Sequence, residues 1–200
     1  MKKEINVCLL CERDLLSLDR WQTLVERSWP QTICERCANK FERHDSQATE
    51  VKCLFRYNEA MKDFLHQYKF MHDVVLAMVF RNEIYAALAN CQEVIVPIPM
   101  HPAKLKQRTF AQVDELLKAA QIPFTHLLEK TTTETQVGKS KAERLQTQPL
   151  FTILKNNKIE PKDYIIVDDI YTTGTTIRHA QQALLEAGAK SVKAFVLIKG

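Results

Sequence analysis

Glycine is scarce in this chain, at four of 200 residues. A dinucleotide-binding turn uses three glycines in the pattern GxGxxG, and the sequence contains no such pattern. A nucleotide P-loop is also absent, because Thr133 stands where its first glycine belongs, although GKS at 138–140 matches its last three residues. The chain therefore has neither of these nucleotide-binding loops, and any phosphate must be held by a different one.

Long apolar runs are also absent. The longest, at 74–80 and 194–198, fall far short of the roughly 20 residues that span a bilayer. A short apolar stretch near the N-terminus is followed by Glu12 and Arg13, without the small-residue cleavage site of a secretion signal. We therefore expect no membrane insertion and predict a cytoplasmic protein. The net charge of +4 permits an anionic ligand or a nucleic acid without requiring either.

Four of the six cysteines form two CxxC pairs, and in a reducing cytosol paired cysteines favour metal over disulfide. Four thiolates can close a tetrahedron around Zn²⁺, and metal binding of roughly 10 kcal/mol can fold a segment with little core. A redox pair is the alternative, but a redox CxxC needs no second copy. We therefore predict a structural Zn²⁺ site. Its ligands are Cys8, Cys11, Cys34 and Cys37.

Apolar residues recur with helical spacing at 61–68, 74–89 and 110–120, and we predict a helix at each. Residues 93–98, EVIVPI, have the composition of a short buried strand. Two polar stretches lack this periodicity and predict a linker and a mobile loop, at 42–52 and 130–148 respectively.

The C-terminal part carries the clearest pattern. A strand is predicted at 164–167, a helix at 176–187 closed by Gly188, and a second strand at 191–199. A β–α–β unit joins parallel strands, so we predict a parallel sheet. Ligands of such sheets bind at the carboxyl ends of the strands, which directs attention to the segment after the first of these strands.

Two acids, Asp168 and Asp169, follow that strand, and a hydroxyl-rich loop leads from them into the helix. A loop entering a helix aims free N–H groups at one point, and the helix dipole adds positive charge there. Glycine at position 174 lets the backbone approach an anion closely, and the threonine hydroxyls are further donors. The loop residues are Thr172, Thr173, Gly174, Thr175 and Thr176.

Carboxylates beside an anion site need an explanation, because like charges repel. A ribose 5-phosphate provides one: its phosphate fits the threonine loop, while its hydroxyls or a Mg²⁺ ion meet Asp168 and Asp169. An ordinary strand–helix turn is the alternative, but it does not explain why two acids stand side by side at the end of the strand. Residues 164–176, YIIVDDIYTTGTT, resemble the PRPP (5-phosphoribosyl 1-pyrophosphate) motif of the type I phosphoribosyltransferase family at essentially every defining position.

Basic side chains follow the predicted strand at 93–98, namely Lys104, Lys106 and Arg108. One interpretation is that they hold a second anionic group, such as the pyrophosphate of PRPP. A solvated basic loop followed by a helix explains the same residues equally well, and composition does not decide between the two.

Residues 96–112, VPIPMHPAKLKQRTFAQ, narrow the resemblance, because they are similar to the VPxPLH…R…RGFNQ signature of the ComF family of competence-associated proteins. They depart from it at Thr109, where glycine is usual, and at Ala111, where asparagine is usual. Residues 133–144 resemble the TxxQxxLxxxxR stretch of the same family, without its upstream Arg-x-Arg. The signature residues that are kept are Pro97, Pro99, His101, Arg108, Phe110 and Gln112.

The resemblance implies an α/β fold: a type I phosphoribosyltransferase-like parallel sheet with helices on both faces at 46–200, preceded by a small zinc-binding domain at 1–45. It implies that His101 and Arg108 join the threonine loop in binding PRPP, with Mg²⁺. It also implies a role in natural transformation, in which the protein handles incoming single-stranded DNA beside a ComFA-like helicase.

Three functions remain open. The first is the competence protein, and the second is an active Mg²⁺-dependent phosphoribosyltransferase in which Asp168 and Asp169 are the catalytic residues. The third is a PRPP-sensing regulator that binds without turnover. Basic residues flanking the site form a candidate DNA groove, or else an ordinary solvated surface. They are Lys104, Lys106, Arg108, Lys139, Lys141 and Arg144.

Overall fold

The computed structural model describes residues 5–15, 29–44, 50–131 and 150–200. Most of the loop predicted at 130–148 lies outside these ranges, and so do Lys139, Lys141 and Arg144 of the candidate DNA groove. No helix within the described ranges is both long and apolar enough to cross a membrane.

A four-stranded parallel sheet forms the centre of the fold, in the order β1-β6-β5-β2. Each central strand contains a run of buried apolar residues, 164–167 in β5 and 194–198 in β6, as expected of parallel strands covered on both faces. The predicted parallel β–α–β unit is therefore confirmed. The strands are β1 (Val51–Arg56), β2 (Val94–Pro97), β5 (Asp163–Tyr171) and β6 (Ser191–Lys199), and the antiparallel pair β3 (Leu128–Lys130) and β4 (Phe151–Ile153) lies outside this sheet.

The helices within the described ranges are α1 (Glu35–Ala38), α2 (Glu59–Phe70), a 3₁₀ helix (Val74–Met78), α3 (Arg81–Leu88), α4 (Pro102–Arg108), α5 (Gln112–Ala119) and α6 (Thr175–Glu186). The helices predicted at 61–68 and 176–187 are confirmed. Asn58 starts α2 by accepting a hydrogen bond from the N–H of Met61 at 3.0 Å. Gly188 ends α6 with φ 110°, as the glycine C′ position predicts.

The single helix predicted at 74–89 is wrong, because the structure divides it into the 3₁₀ helix and α3. Asp73 accepts the N–H of Val75 and starts the tighter turn. Leu76, Phe80 and Ile84 are buried on both sides of the break and keep a spacing of four residues. An apolar pattern that continues across the break cannot reveal it.

The linker predicted at 42–52 is wrong at its C-terminal end, where strand β1 begins at Val51. Its N-terminal end is also paired, since the N–H of His44 donates to Leu54 O at 2.9 Å and that of Arg56 donates to Glu42 O at 2.8 Å. Only Cys53 and Phe55 of β1 are buried. So short an alternation in an edge strand is a weak sequence signal.

Two apolar clusters cover the two faces of the sheet. One cluster takes Ile165 and Val167 of β5 and packs them against α2, α3 and α5. The other takes Tyr164 and Ile166 and packs them against α6 and the β3–β4 pair. Because successive side chains of a strand point to opposite faces, Asp168 and Asp169, the next two residues of β5, are expected to lie on opposite faces of the sheet.

The cysteine-rich segment packs against the rest of the chain. Phe41 lies in the first cluster, with its ring 5.0 Å from that of Phe80. Arg81 donates to Pro30 O at 2.6 Å, and Thr32 donates to Met78 O at 3.3 Å. The domain boundary expected between residues 45 and 46 stays a prediction, and the two sides share one core.

Candidate functional site

The aspartate pair lies within the last residues of β5, which continues to Tyr171, four residues beyond the predicted strand. Alternation along the strand places Asp169 on the face of Val167, toward α2, and Asp168 on the face of Ile166, toward α6. The sequence shows the two acids as equivalent neighbours. In the fold their side chains lie on opposite faces of the sheet, at the carboxyl end of β5.

Asp169 is engaged by the protein itself. Its Oδ2 atom lies 2.6 Å from Lys69 Nζ, and both side chains are only 12% exposed. Lys69 lies in the last turn of α2 and carries this cation to the end of β5. Sequence reasoning missed Lys69, because nothing in the pattern of an amphipathic helix tells which of its lysines meets a buried carboxylate.

Asp168 is the half-buried carboxylate on the other face. Burial raises the pKa of Asp168 to about 7, with help from the negative charge of Asp169. The N–H of Asp169 donates to Asp168 Oδ1 at 2.8 Å, and Lys69 and Lys130 also oppose the rise. A carboxylate held in this state gains from an added cation or from donor hydroxyls, so Asp168 is the group that a ligand would engage.

The raised pKa of Asp168 predicts a pH-dependent stability. An unfolded aspartate ionises near pH 4, so the folded protein holds an extra proton between about pH 4 and 7. The contribution of Asp168 to the free energy of unfolding therefore falls as the pH rises from about 4 to 7. We expect Asp168→Asn, which resembles the protonated acid, to gain stability relative to the native chain between pH 5 and 8 in urea unfolding without ligand. An equal difference at both pH values would contradict the raised pKa.

The threonine loop connects β5 to α6, whose N-cap residue is Gly174, and the N–H of Thr175 donates to Thr173 Oγ1 at 3.4 Å. Gly174 has φ 74°, and a Cβ atom there would lie 2.4 Å from the Tyr171 hydroxyl, so only glycine fits. Thr172 and Thr173 are exposed. Gly174, at the N-cap position, has no side chain that could accept from the N–H groups of the first turn. The loop enters a helix N-terminus as predicted, and its role in binding an anion stays a prediction.

Arg178 stabilises this loop and was missed by sequence reasoning. Its guanidinium donates to Thr173 O at 3.1 Å and to Thr175 Oγ1 at 3.3 Å. Thr173 and Thr175 also share a hydroxyl hydrogen bond of 3.0 Å. The loop is therefore closed onto the first turn of α6 by its own contacts.

The segment after β2 reaches the same edge, since β2 pairs Pro97 with Val167 and the N–H of Ile98 donates to Val167 O. His101 caps α4, its Nδ1 accepting from the N–H of Ala103 at 3.2 Å. The basic residues that follow lie on a helix, α4, and not on a solvated loop. Their predicted role in holding a second anion stays a prediction.

Two of the basic residues flanking this edge have described electrostatic partners. Burial lowers the pKa of Lys130, at the end of β3, and the charge of Lys104 lowers it further, while Asp168 raises it. Lys130 therefore lies within electrostatic reach of both Lys104 and Asp168. Arg108 contacts Gln112 Oε1 at 3.2 Å and the Phe70 ring, on the α2 side.

Thr109, directly after Arg108, has φ 64°, in the left-handed region that favours glycine. Glycine is the usual residue at this position of the ComF signature, so the backbone conformation explains that preference. Threonine adopts it here at a cost of about 1–3 kcal/mol. Its hydroxyl donates to Arg108 O at 2.7 Å, which is a partial local compensation.

The four predicted metal ligands come together. One sulfur atom from each of Cys8, Cys11, Cys34 and Cys37 lies within 4.8 Å of the others. The Sγ atoms of Cys11 and Cys34 are 3.7 Å apart, close to the edge of about 3.8 Å expected for a tetrahedron with Zn–S bonds near 2.3 Å.

The pKa values of Cys37 and Cys8 are consistent with a metal site at this cluster. Burial and the three neighbouring thiols raise the pKa of Cys37 to about 12. Burial also acts to raise the pKa of Cys8, but backbone N–H groups, led by that of Cys34, lower it to about 7. The donor set can hold a metal ion such as zinc, which would compensate the thiolates that crowd here. Cys53 and Cys91 lie outside this cluster and are buried and half-buried, as small apolar residues.

Comparisons with known proteins agree with these features. The family described as "Phosphoribosyl transferase domain" matches residues 81–200. Competence protein ComFC of Streptococcus pneumoniae (strain ATCC BAA-255 / R6) is 35% identical, covering 96% of this chain and 99% of the relative. Competence protein ComFC of Bacillus subtilis (strain 168) is 28% identical, covering 96% of this chain and 95% of the relative.

Solved structures with a related arrangement are more distant. Glutamine phosphoribosylpyrophosphate amidotransferase from B. subtilis has a TM-score of 0.45 and 20% identity, over 66% of this chain and 30% of that one. Adenine phosphoribosyltransferase from Leishmania donovani has a TM-score of 0.43 and 11% identity, over 80% of this chain and 86% of that one.

Proposed function

This chain belongs to the ComF family of competence proteins and carries a phosphoribosyl transferase domain, and from that premise we propose that it acts in natural transformation. In this proposal it binds PRPP or a related sugar phosphate with Mg²⁺ at the carboxyl edge of its sheet. It handles incoming single-stranded DNA in the cytoplasm, beside a ComFA-like helicase, and holds a structural Zn²⁺ at its four-cysteine cluster.

The observation that carries the ligand proposal is the position of Asp168. Asp168 follows Ile166 by two residues in β5, which favours the face against which α6 packs, and we propose that its carboxylate and the start of that helix share one ligand space. A phosphate at the threonine loop would bring the ribose hydroxyls toward Asp168. Mg²⁺ would be held there through oxygen ligands and would offset the negative charges that meet at this point.

Lys130 and Lys104 extend the same arrangement. Burial is the main cause of the lowered pKa of Lys130, and repulsion by the positive charge of Lys104 adds to it, while Asp168 acts in the opposite direction. A pyrophosphate group would relieve this repulsion. We assign the second anion of PRPP to this pair, in place of a role for Arg108, whose described contacts lie on the α2 side.

An active Mg²⁺-dependent phosphoribosyltransferase remains the second candidate, because the match at 81–200 is to a transferase domain. In that case Asp168 would orient the ribose and stabilise the cationic character that develops on it when pyrophosphate leaves. Release of pyrophosphate on mixing PRPP, Mg²⁺ and an acceptor base would support this candidate over binding alone.

Binding of PRPP and of DNA to the native chain tests the proposal. We expect calorimetry to give saturable binding of PRPP that requires Mg²⁺. We also expect a labelled single strand to be retained at low salt, with an affinity that falls by a factor of about five for each doubling of salt if three or four phosphates are contacted. Absence of PRPP binding would refute the ligand half, and absence of DNA retention at low salt would refute the DNA half.

A further inference from the structure

Phe70 is a feature of this edge that PRPP binding does not use. It is the last residue of α2, and its side chain is 60% exposed. The guanidinium of Arg108 lies over the ring, 5.3 Å from its centroid. The ring of His66, one turn earlier on α2, lies 5.7 Å away at an interplanar angle of 39°. An exposed phenylalanine backed by a cation is a surface suited to a second planar ring.

The cation behind this ring is held in place from inside the protein. Arg108 donates to Gln112 Oε1 at 3.2 Å, and the Gln112 side chain is buried. The backbone of Gln112 in turn accepts from the Tyr68 hydroxyl at 2.7 Å. Because Tyr68 belongs to α2, this chain of contacts ties α4 and α5 to the helix that carries Phe70. Arg108 is therefore preorganised under the ring.

An ion pair and a shared helix relate Phe70 to the ligand site. Lys69, its neighbour in sequence, forms the ion pair with Asp169 at the end of β5. Lys104 lies on the same helix as Arg108, one turn earlier, and acts on Lys130 beside Asp168. The exposed ring and the aspartate pair thus belong to one edge of the sheet.

We propose that Phe70, backed by Arg108, is a stacking platform for a base of single-stranded DNA at the rim of the PRPP site. The inference deepens the proposed function and rests on its DNA half. Stacking on an aromatic ring binds any base, because every base has a π face. The exposed residue Lys106, on the helix that carries Arg108, supplies complementary charge for a phosphate of the strand.

The openness of the platform favours DNA over a free base as its occupant. A small aromatic ligand is bound in a concave pocket that covers most of its surface. Phe70 is followed by Met71, which is 68% exposed, so nothing described encloses the ring from that side. A base tethered to a strand needs no enclosure, since the contacts of its backbone supply the remaining affinity.

Fluorescence anisotropy with a labelled oligothymidine of roughly 20 nucleotides tests the platform on the full chain. We expect Phe70→Ala to weaken DNA binding about tenfold, Phe70→Tyr to retain it, and both variants to bind Mg·PRPP as the native chain does. The dependence on salt should stay unchanged in Phe70→Ala, because stacking releases no counterions. Lys106→Ala should instead reduce the slope of log K against log salt by about 0.7.

Leu185→Ala is the matched control, because Leu185 is a similarly placed surface residue, 47% exposed, in the last turn of α6 and away from this edge. We expect it to bind DNA as the native chain does. If the native chain binds DNA and Phe70→Ala binds it equally well, the platform is overturned while the DNA proposal stands. If Phe70→Ala loses binding to free thymidine but not to DNA, the assignment to DNA is overturned. If the native chain binds no DNA, the DNA proposal itself fails.

Discussion

Asp168→Asn is expected to lower the affinity for Mg·PRPP at least about a hundredfold, because it removes the carboxylate that we propose holds the ribose hydroxyls and Mg²⁺. The same substitution should stabilise the ligand-free protein above pH 7, since burial and Asp169 hold the pKa of Asp168 at about 7. A loss of binding together with a gain in stability distinguishes a ligand-binding acid from a structural one. Calorimetry and urea unfolding at pH 8 measure the two effects on the same samples.

Asp163→Asn and Asp169→Asn are the comparisons for this result. Asp163 is the first residue of β5, at the end of the strand away from the proposed ligand site, so its replacement should leave PRPP affinity unchanged. Asp169→Asn should lower the free energy of unfolding by about 3 kcal/mol, because it leaves Lys69 buried without its carboxylate. Equal affinities of Asp168→Asn and the native chain would show that the ligand does not use Asp168.

The parts of this site that the sequence predicts are those formed by neighbouring residues. The threonine loop is one, because Gly174 and the start of α6 follow β5 directly and the local chain determines their geometry. The cysteine cluster is another, because each CxxC spacing brings two thiols together before any tertiary fold exists. The α/β fold with its parallel sheet was predicted for the same reason, from a β–α–β unit continuous in sequence.

The parts that the sequence does not predict depend on contacts between distant segments. The pairing of Lys69 with Asp169 joins residues 100 positions apart, and the approach of Arg108 to Phe70 joins two helices separated by the 3₁₀ helix, α3 and β2. Strands β3 and β4 were also missed, since each has only three residues. Propensity acts along the chain, whereas these features follow from packing on the two faces of the sheet.

The division of labour between the two acids follows from the length of β5. A strand ending at Val167 would have released both acids into a loop, where either could turn toward a ligand. Because β5 continues to Tyr171, the pleat sends Asp168 and Asp169 to opposite faces. Lys69 then pairs with Asp169 on the α2 face, whereas Asp168 on the α6 face keeps a raised pKa and would gain from a bound cation.

Replacement of one zinc ligand should destabilise the whole chain and not only the segment around the cysteines. The reason is the shared core: Phe41 packs among the aromatic rings beside β1, and Arg81 and Thr32 hydrogen-bond across to the other side. We expect the native protein to contain about one zinc per chain by metal analysis. Cys37→Ser should lose that zinc and unfold several degrees lower, with the effect spread over α2 and α3.

Cys91→Ser is the matched control, because Cys91 is half-buried and lies outside the four-cysteine cluster. It should keep the zinc and unfold close to the native temperature. A strong chelator should lower the unfolding temperature of the native protein toward that of Cys37→Ser, because metal binding contributes to the free energy of folding of this segment. A native chain that is folded, free of metal and unaffected by the chelator would refute the zinc site. In that case the 3.7 Å approach of Cys11 and Cys34 would need another explanation.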